Sequence, residues 1–257
     1  MGEGLQVIDT HFHMWDPQIQ RLDWLKGMGP LIRRWTVDDL AAEYEALGVD
    51  FLGGVYVEVD SADPGQEARL LSENKDPRIL ARMLRSRVSP YMPVPINATG
   101  IREPLHTADQ PRGRCLQRSF IEGLEAMADR GIPFELCNRG GELTDMARAF
   151  GQVPQERVII DHLGNMPDLS PESRKAMEAL AGLPECYVKV SGDDPVDPGI
   201  VRFVRDAFPP NRILYASNWP VVNRRSSLAA HFRRVFDIFG PDEGFFRDNA
   251  QRAYGIP

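Results

Sequence analysis

The strongest constraint on this chain is the regular alternation of two kinds of segment. Short apolar runs recur at residues 7–13, 51–59, 78–84, 100–102, 132–137, 157–161, 186–191 and 212–217. Between and after them lie stretches of helical period, at 36–47, 64–74, 116–130, 142–150, 171–181, 198–208, 228–239 and 243–254. A run such as 51–59 is almost continuously apolar, as strands buried on both faces are. Strand–helix alternation repeated about eight times predicts a parallel sheet with helices outside, most simply a (β/α)8 TIM-like barrel. A doubly wound open sheet is the rival. No Gly-x-Gly-x-x-Gly follows the first run, however, and polar residues recur at many strand ends instead of at one crevice. One link breaks the pattern. Pro90, Pro93 and Pro95 crowd the stretch after the third run, which argues against a regular helix there. The barrel is therefore expected to be irregular between strands three and four. No shift in composition marks a boundary, so residues 1–257 are expected to form a single barrel domain.

Composition narrows the function classes. A formal charge of −7 lacks the basic footprint of a nucleic-acid binder. No apolar run approaches the roughly 20 residues of a membrane span. Met1-Gly2-Glu3-Gly4 lacks the basic-then-apolar order of a signal peptide. Cys115, Cys137 and Cys186 are widely spaced and odd in number, so neither a disulfide framework nor a zinc knuckle is indicated. A reducing cytoplasm is the expected location. The oligomeric state is open, with a homodimer among the options.

The first run ends in His11-Phe12-His13. Alternate side chains of a strand share a face, so the two imidazoles point the same way, with Asp9 beside them. Converging neutral imidazoles can hold a divalent metal or polarise a carbonyl oxygen. The plain alternative is a polar strand end whose histidines only cap hydrogen bonds. In a barrel the other strand ends meet this pair at one mouth. They supply Glu58, Arg102, Cys137, His162, Lys189, Ser191 and Asn218. Each has a structural alternative: Lys189 pairing with a carboxylate outside the barrel, Ser191 capping a turn, Cys137 packing as a small hydrophobe. His106 and His231 fall in a loop and a helix and read as incidental.

The segments VIDTHFHMWDP, VIIDHLGNMPD, YVKVSG, RILYASNWPV and FFRDNAQRAYGI resemble, in order and spacing, the amidohydrolase-2 group of the amidohydrolase superfamily. The branch they resemble includes sugar-acid lactonases and pyrone-dicarboxylate lactonase. The resemblance spans about residues 7–256 and implies a distorted barrel that hydrolyses a lactone, a small cyclic ester. It assigns His11, His13 and His162 to the catalytic centre, polarising the carbonyl. It places Asn218 where the family reads aspartate in SDWP, the general-base site. A neutral amide does no general-base work near pH 7, though it still donates and accepts hydrogen bonds. Two accounts compete: an introduced aspartate-to-asparagine change that inactivates an otherwise intact site, or a natural asparagine accompanied by another base or by binding without turnover.

The cofactor expected is none or one divalent metal, zinc, on His11, His13 and His162, with Glu58 as a further ligand. Arg102 stands where a metal-bridging lysine would be sought, which disfavours two metals. For the substrate, Arg102 and Arg225 are candidates to fork a carboxylate. Trp15 or Trp219 would flank a neutral sugar-lactone ring, and Glu58, Lys189 and Ser191 complete the binding set. The alternatives to a lactonase are a zinc-dependent decarboxylase of the same group and a non-catalytic small-molecule binder.

Overall fold

The computed structural model describes residues 4–192 and 195–257. Of the stretch read for a leader, Met1 to Glu3 lie outside the described residues. Eight strands run in chain order: β1 (Gln6–Phe12), β2 (Asp50–Val57), β3 (Ile79–Arg85), β4 (Gly100–Pro104), β5 (Phe134–Cys137), β6 (Val158–Ile160), β7 (Cys186–Val190) and β8 (Ile213–Tyr215). Each pairs in parallel with the next. The seam between β8 and β1 is closed by main-chain groups just past the strands. Asn218 N donates to His11 O at 2.9 Å, and His13 N donates to Trp219 O at 2.8 Å. The result is a nearly closed (β/α)8 barrel.

The helices are α1 (Val37–Ala46), α2 (Pro64–Glu73), α3 (Arg118–Asp129), α4 (Leu143–Phe150), α5 (Pro171–Ala181), α6 (Pro198–Ala207), α7 (Leu228–Phe239) and α8 (Asn249–Tyr254). Their starts are written locally. Thr36 and Asp39 form a reciprocal capping box on α1. Asp63, Ser170, Asp197 and Ser227 cap α2, α5, α6 and α7. Proline opens α2, α5 and α6, where its missing N–H costs no bond.

Alternation sorts the strand side chains into two layers. Tyr56, Leu84, Ile160, Val188 and Tyr215 join the large core under the helices. Val55, Val57, Ala81, Met83, Ile159, Tyr187 and Leu214 form a smaller cluster inside the barrel, with Ala253 and Tyr254 of α8. Charged residues in phase with this inner set lie on the same side, nearer the strand ends. β1 departs from simple alternation: its register with β2 slips between Asp9 and Phe12. Asp9 stays next to His11 through the main chain, accepting from His11 N at 3.1 Å, but its carboxylate does not join the two imidazoles as alternation suggested. Its carboxylate accepts from Tyr44 of α1 at 2.9 Å and from Ser217 N and Oγ.

No helix follows β3 among the described residues; 86–99 are turns and coil. A buried ion pair takes the helix's place. Glu103 of β4 accepts from Val88 N at 2.7 Å and from Arg114 Nε at 2.9 Å, while Arg114 Nη2 donates to Val88 O at 2.6 Å. Gly123 lets α3 pack directly against Ser89. Removing one partner of such a pair strands the other charge in a dry interior. Arg114→Met is therefore expected to cost about 3–5 kcal/mol of stability in urea unfolding. A loss under about 1 kcal/mol, the range of exposed pairs, would show that the pair does not hold the gap.

Candidate active site

A cavity of about 570 Å³ opens at the carboxyl ends of the strands. Of the residues expected there, His13, Glu58, Arg102, Cys137, His162 and Asn218 line it. His11, fully buried, sits behind them. One wall is apolar, from Trp24, Met28, Leu31 and Val221. The rest is polar, including Asp60, Asn138, Asn165 and Arg224.

Behind the cavity lies a buried charged layer. Arg102 donates to Glu58 and, through Nε, to Asp161 Oδ2 at 3.1 Å. Lys189 is fully buried against Glu135 and lies 3.2 Å from Asp161 Oδ1. Burial drives the Lys189 pKa down and Arg102 adds to this, with Asp9 opposing them. Three carboxylates thus face two cations. Glu135 and Asp161 were not singled out from the sequence, although Glu135 is in phase with Cys137 and Asp161 with Ile159.

The histidines are wired to this layer. His11 Nδ1 is 3.1 Å from Asp161 Oδ1 and 3.3 Å from Lys189 Nζ. His13 Nδ1 is 2.9 Å from Val57 O, which can only accept, so its Nε2 carries a lone pair. That lone pair meets His11 Nε2 at 3.2 Å. When Lys189 donates to His11 Nδ1, His11 Nε2–H donates to His13. When Nδ1–H instead donates to Asp161, two lone pairs face each other and need a cation between them, a proton or a metal ion. Burial, then Arg102, lowers the His13 pKa to about 4. Burial also holds His11 and His162 well below the usual histidine value, followed by Lys189 for His11 and by His11 for His162. All three are neutral at pH 7. Cys137, pushed up to about 12 by burial, is a thiol there and no nucleophile.

His162 and Asn218 reach the cavity by unusual backbone. His162, Leu163, Gly164 and Asn165 have φ of 54°, 53°, 68° and 50°, a full left-handed turn. Each such non-glycine residue costs roughly 1–2 kcal/mol. Asn218 is left-handed too, at φ 59°, and its Nδ2 donates weakly to Gly192 O at 3.4 Å. His162 Nδ1 meets Ser191 Oγ at 2.9 Å.

Several expected site residues lie off the cavity wall. Trp15 is buried with Nε1 donating to Leu31 O, and Trp219 is fully buried with Nε1 donating to Glu43. The tryptophan on the wall is Trp24, fixed by its bond to Val59 O at 2.7 Å. Lys189 and Ser191 sit beneath the wall, and Lys189 pairs inside the barrel, not outside it. Arg224 faces the cavity in place of Arg225, which follows the 3-10 turn Val221–Arg224. Arg102 is committed to two carboxylates. His106, read as incidental, lines the cavity, whereas His231 is structural, 2.8 Å from Ala216 O.

A family model described as amidohydrolase matches residues 8–256. The chain belongs to this amidohydrolase family. A solved structure, amidohydrolase 2 from Bifidobacterium longum subsp. infantis, is 63% identical, covering 98% of this chain and 100% of that one, with a TM-score of 0.96. L-rhamnono-gamma-lactonase of Scheffersomyces stipitis is 22% identical over 98% of this chain and 99% of its own length. L-fucono-1,5-lactonase of Burkholderia ambifaria is 31% identical over 42% of this chain and 40% of its own.

For a metal ion, the grouping differs from the three histidines expected. Ligand atoms of His11, Asp161 and His162 lie within 4.8 Å of one another; His13 is not in that group. Two imidazoles and a carboxylate suit one zinc. The surplus negative charge of the buried layer accommodates one ion, while Arg102 and Lys189 repel a second. Zinc titration is expected to saturate at one equivalent, with Asp161→Asn lowering affinity at least about tenfold. Saturation at two equivalents would contradict this charge count.

Proposed function

We propose that this chain is a lactonase acting on a sugar-acid lactone, with the whole barrel, residues 1–257, serving one site. The observation that carries the reading is the cavity itself, whose lining combines apolar side chains with amides, carboxylates, imidazoles and arginines at the strand ends. Trp24, Met28, Leu31 and Val221 suit the carbon face of a small ring, and Asp60 and Asn165 suit its hydroxyls. The curated lactonase relatives support the same substrate class. A carboxylated lactone is less well served: of the arginines lining the cavity, Arg102 is paired with Glu58 and Asp161, and Arg139 with Glu142 and loop carbonyls, which leaves Arg224.

His162, with Ser191 Oγ free to donate to its Nδ1, presents Nε2–H toward the carbonyl oxygen and stabilises the charge that develops there. Asn218 orients the attacking water. His13 Nε2 accepts the water proton, shared with His11, and Asp161 and Lys189 set the His11 tautomer. This base is weak because its lone pair is turned partly toward His11. Should zinc be bound at His11, Asp161 and His162, it would supply Lewis-acid polarisation of the carbonyl.

Proton release from a panel of five- and six-membered sugar lactones, together with carboxylated lactones and their methyl esters, tests this. The parent is expected to hydrolyse a sugar lactone slowly and Asn218→Asp to accelerate it by about 10²–10⁴, the worth of a positioned base. Equal rates would place the base elsewhere. No turnover by either form, with tight binding, would favour a binder. Because His13 must be neutral to accept the proton, kcat/KM should fall on acidification through about pH 4. An acid limb near 6.5, the ordinary histidine value, would remove His13 from this role.

A further inference from the structure

Asp161 and His162 are adjacent in sequence, yet both face the reaction centre. Asp161 turns to Arg102 and Lys189, and His162 lines the cavity. Neighbouring residues in a strand point to opposite faces, so extended backbone cannot deliver both. The left-handed turn His162–Asn165 does. Such a turn persists only where its surroundings over-determine it, and glycine supplies only one of its four residues.

The restraint comes from the loop after β5. Asn165 Nδ2 donates to Asn138 O at 2.7 Å. Asn138 Nδ2 donates back to Gly164 O at 3.1 Å and to Arg139 O at 2.8 Å. Both of its targets are carbonyls, which only accept, so the orientation of this fully buried amide is fixed. Gly140 packs directly on Asn165 O, where a Cβ would overlap it. The loop is itself anchored: Arg139 donates to Glu142 at 2.9 Å and to Gln110 O at 2.8 Å.

We propose that Asn138 is the positioning residue for His162, acting through the left-handed turn it clamps from the loop after β5. Its importance to catalysis rests on the lactonase reading; the clamp does not. The decisive readout is therefore the imidazole ¹⁵N spectrum of histidine-labelled protein, with His162 assigned by His162→Gln. Asn138→Ala and Gly140→Ala are expected to shift or broaden the His162 signals while His231 stays in place. Gly141→Ala, whose Cβ meets open space, should leave all of them unchanged. Should Asn138→Ala fail to fold, Gly140→Ala carries the test, because it keeps every polar group. On a lactone that the parent turns over, the two variants should lose about 10–100-fold in kcat with KM little changed, the signature of a misplaced group. Parent-like His162 signals in folded Gly140→Ala and Asn138→Ala would overturn the proposal. Shifted signals in a chain whose parent hydrolyses no lactone would uphold the clamp and sink the lactonase reading.

Discussion

The buried carboxylate of Asp161 is the point on which the site depends. Arg102 binds one of its oxygens, and Lys189 and His11 crowd the other. A lone carboxylate in a dry barrel would be prohibitively unstable; here two cations hold it from different strands. Through those cations the constraint spreads to Glu58 of the β2 end and Glu135 of β5. Six of the eight strands are thereby tied at one level, just above the apolar plug of Met83, Ile159 and Leu214. The neutral imidazoles rest on this layer. Their low pKa values are the electrostatic counterpart of sitting over buried cations away from water.

Much of this was legible in the sequence. The eight strands could be read because buried parallel strands are short apolar runs between helices of clear period and strong caps. The absent helix after β3 was legible from Pro90, Pro93 and Pro95. His13, His162 and Asn218 could be placed at the mouth because strand ends converge in a barrel. Glu135 and Asp161 escaped notice because each is a single acid inside an apolar run. Counting residues in twos from Cys137 and Ile159 would have turned both inward.

Other positions were not legible for physical reasons. Loop conformation has no period, so Trp24 and Trp15 could not be told apart, nor Arg224 from Arg225, one residue further along a 3-10 turn. β1 slips in register beside Asp9, and the Asp9 carboxylate meets Tyr44 against simple alternation. The left-handed turn at His162 defeats alternation in the opposite sense, bringing two successive residues to the centre. Both exceptions lie next to the histidines, where local rules give way to the requirements of the site.

The seam between β8 and β1 separates architecture from chemistry at a single position. Residue 218 closes the barrel with its amide nitrogen, and His11 receives that bond with its carbonyl. The side chain at 218 takes no part in closure beyond a long contact to Gly192 O. Aspartate and asparagine both leave that main-chain closure intact, while differing completely as proton acceptors. If the proposed lactonase reading holds, a lineage could cross between fast hydrolysis, slow hydrolysis and mere retention of a ligand by exchanging one oxygen for a nitrogen, with the main-chain seam kept.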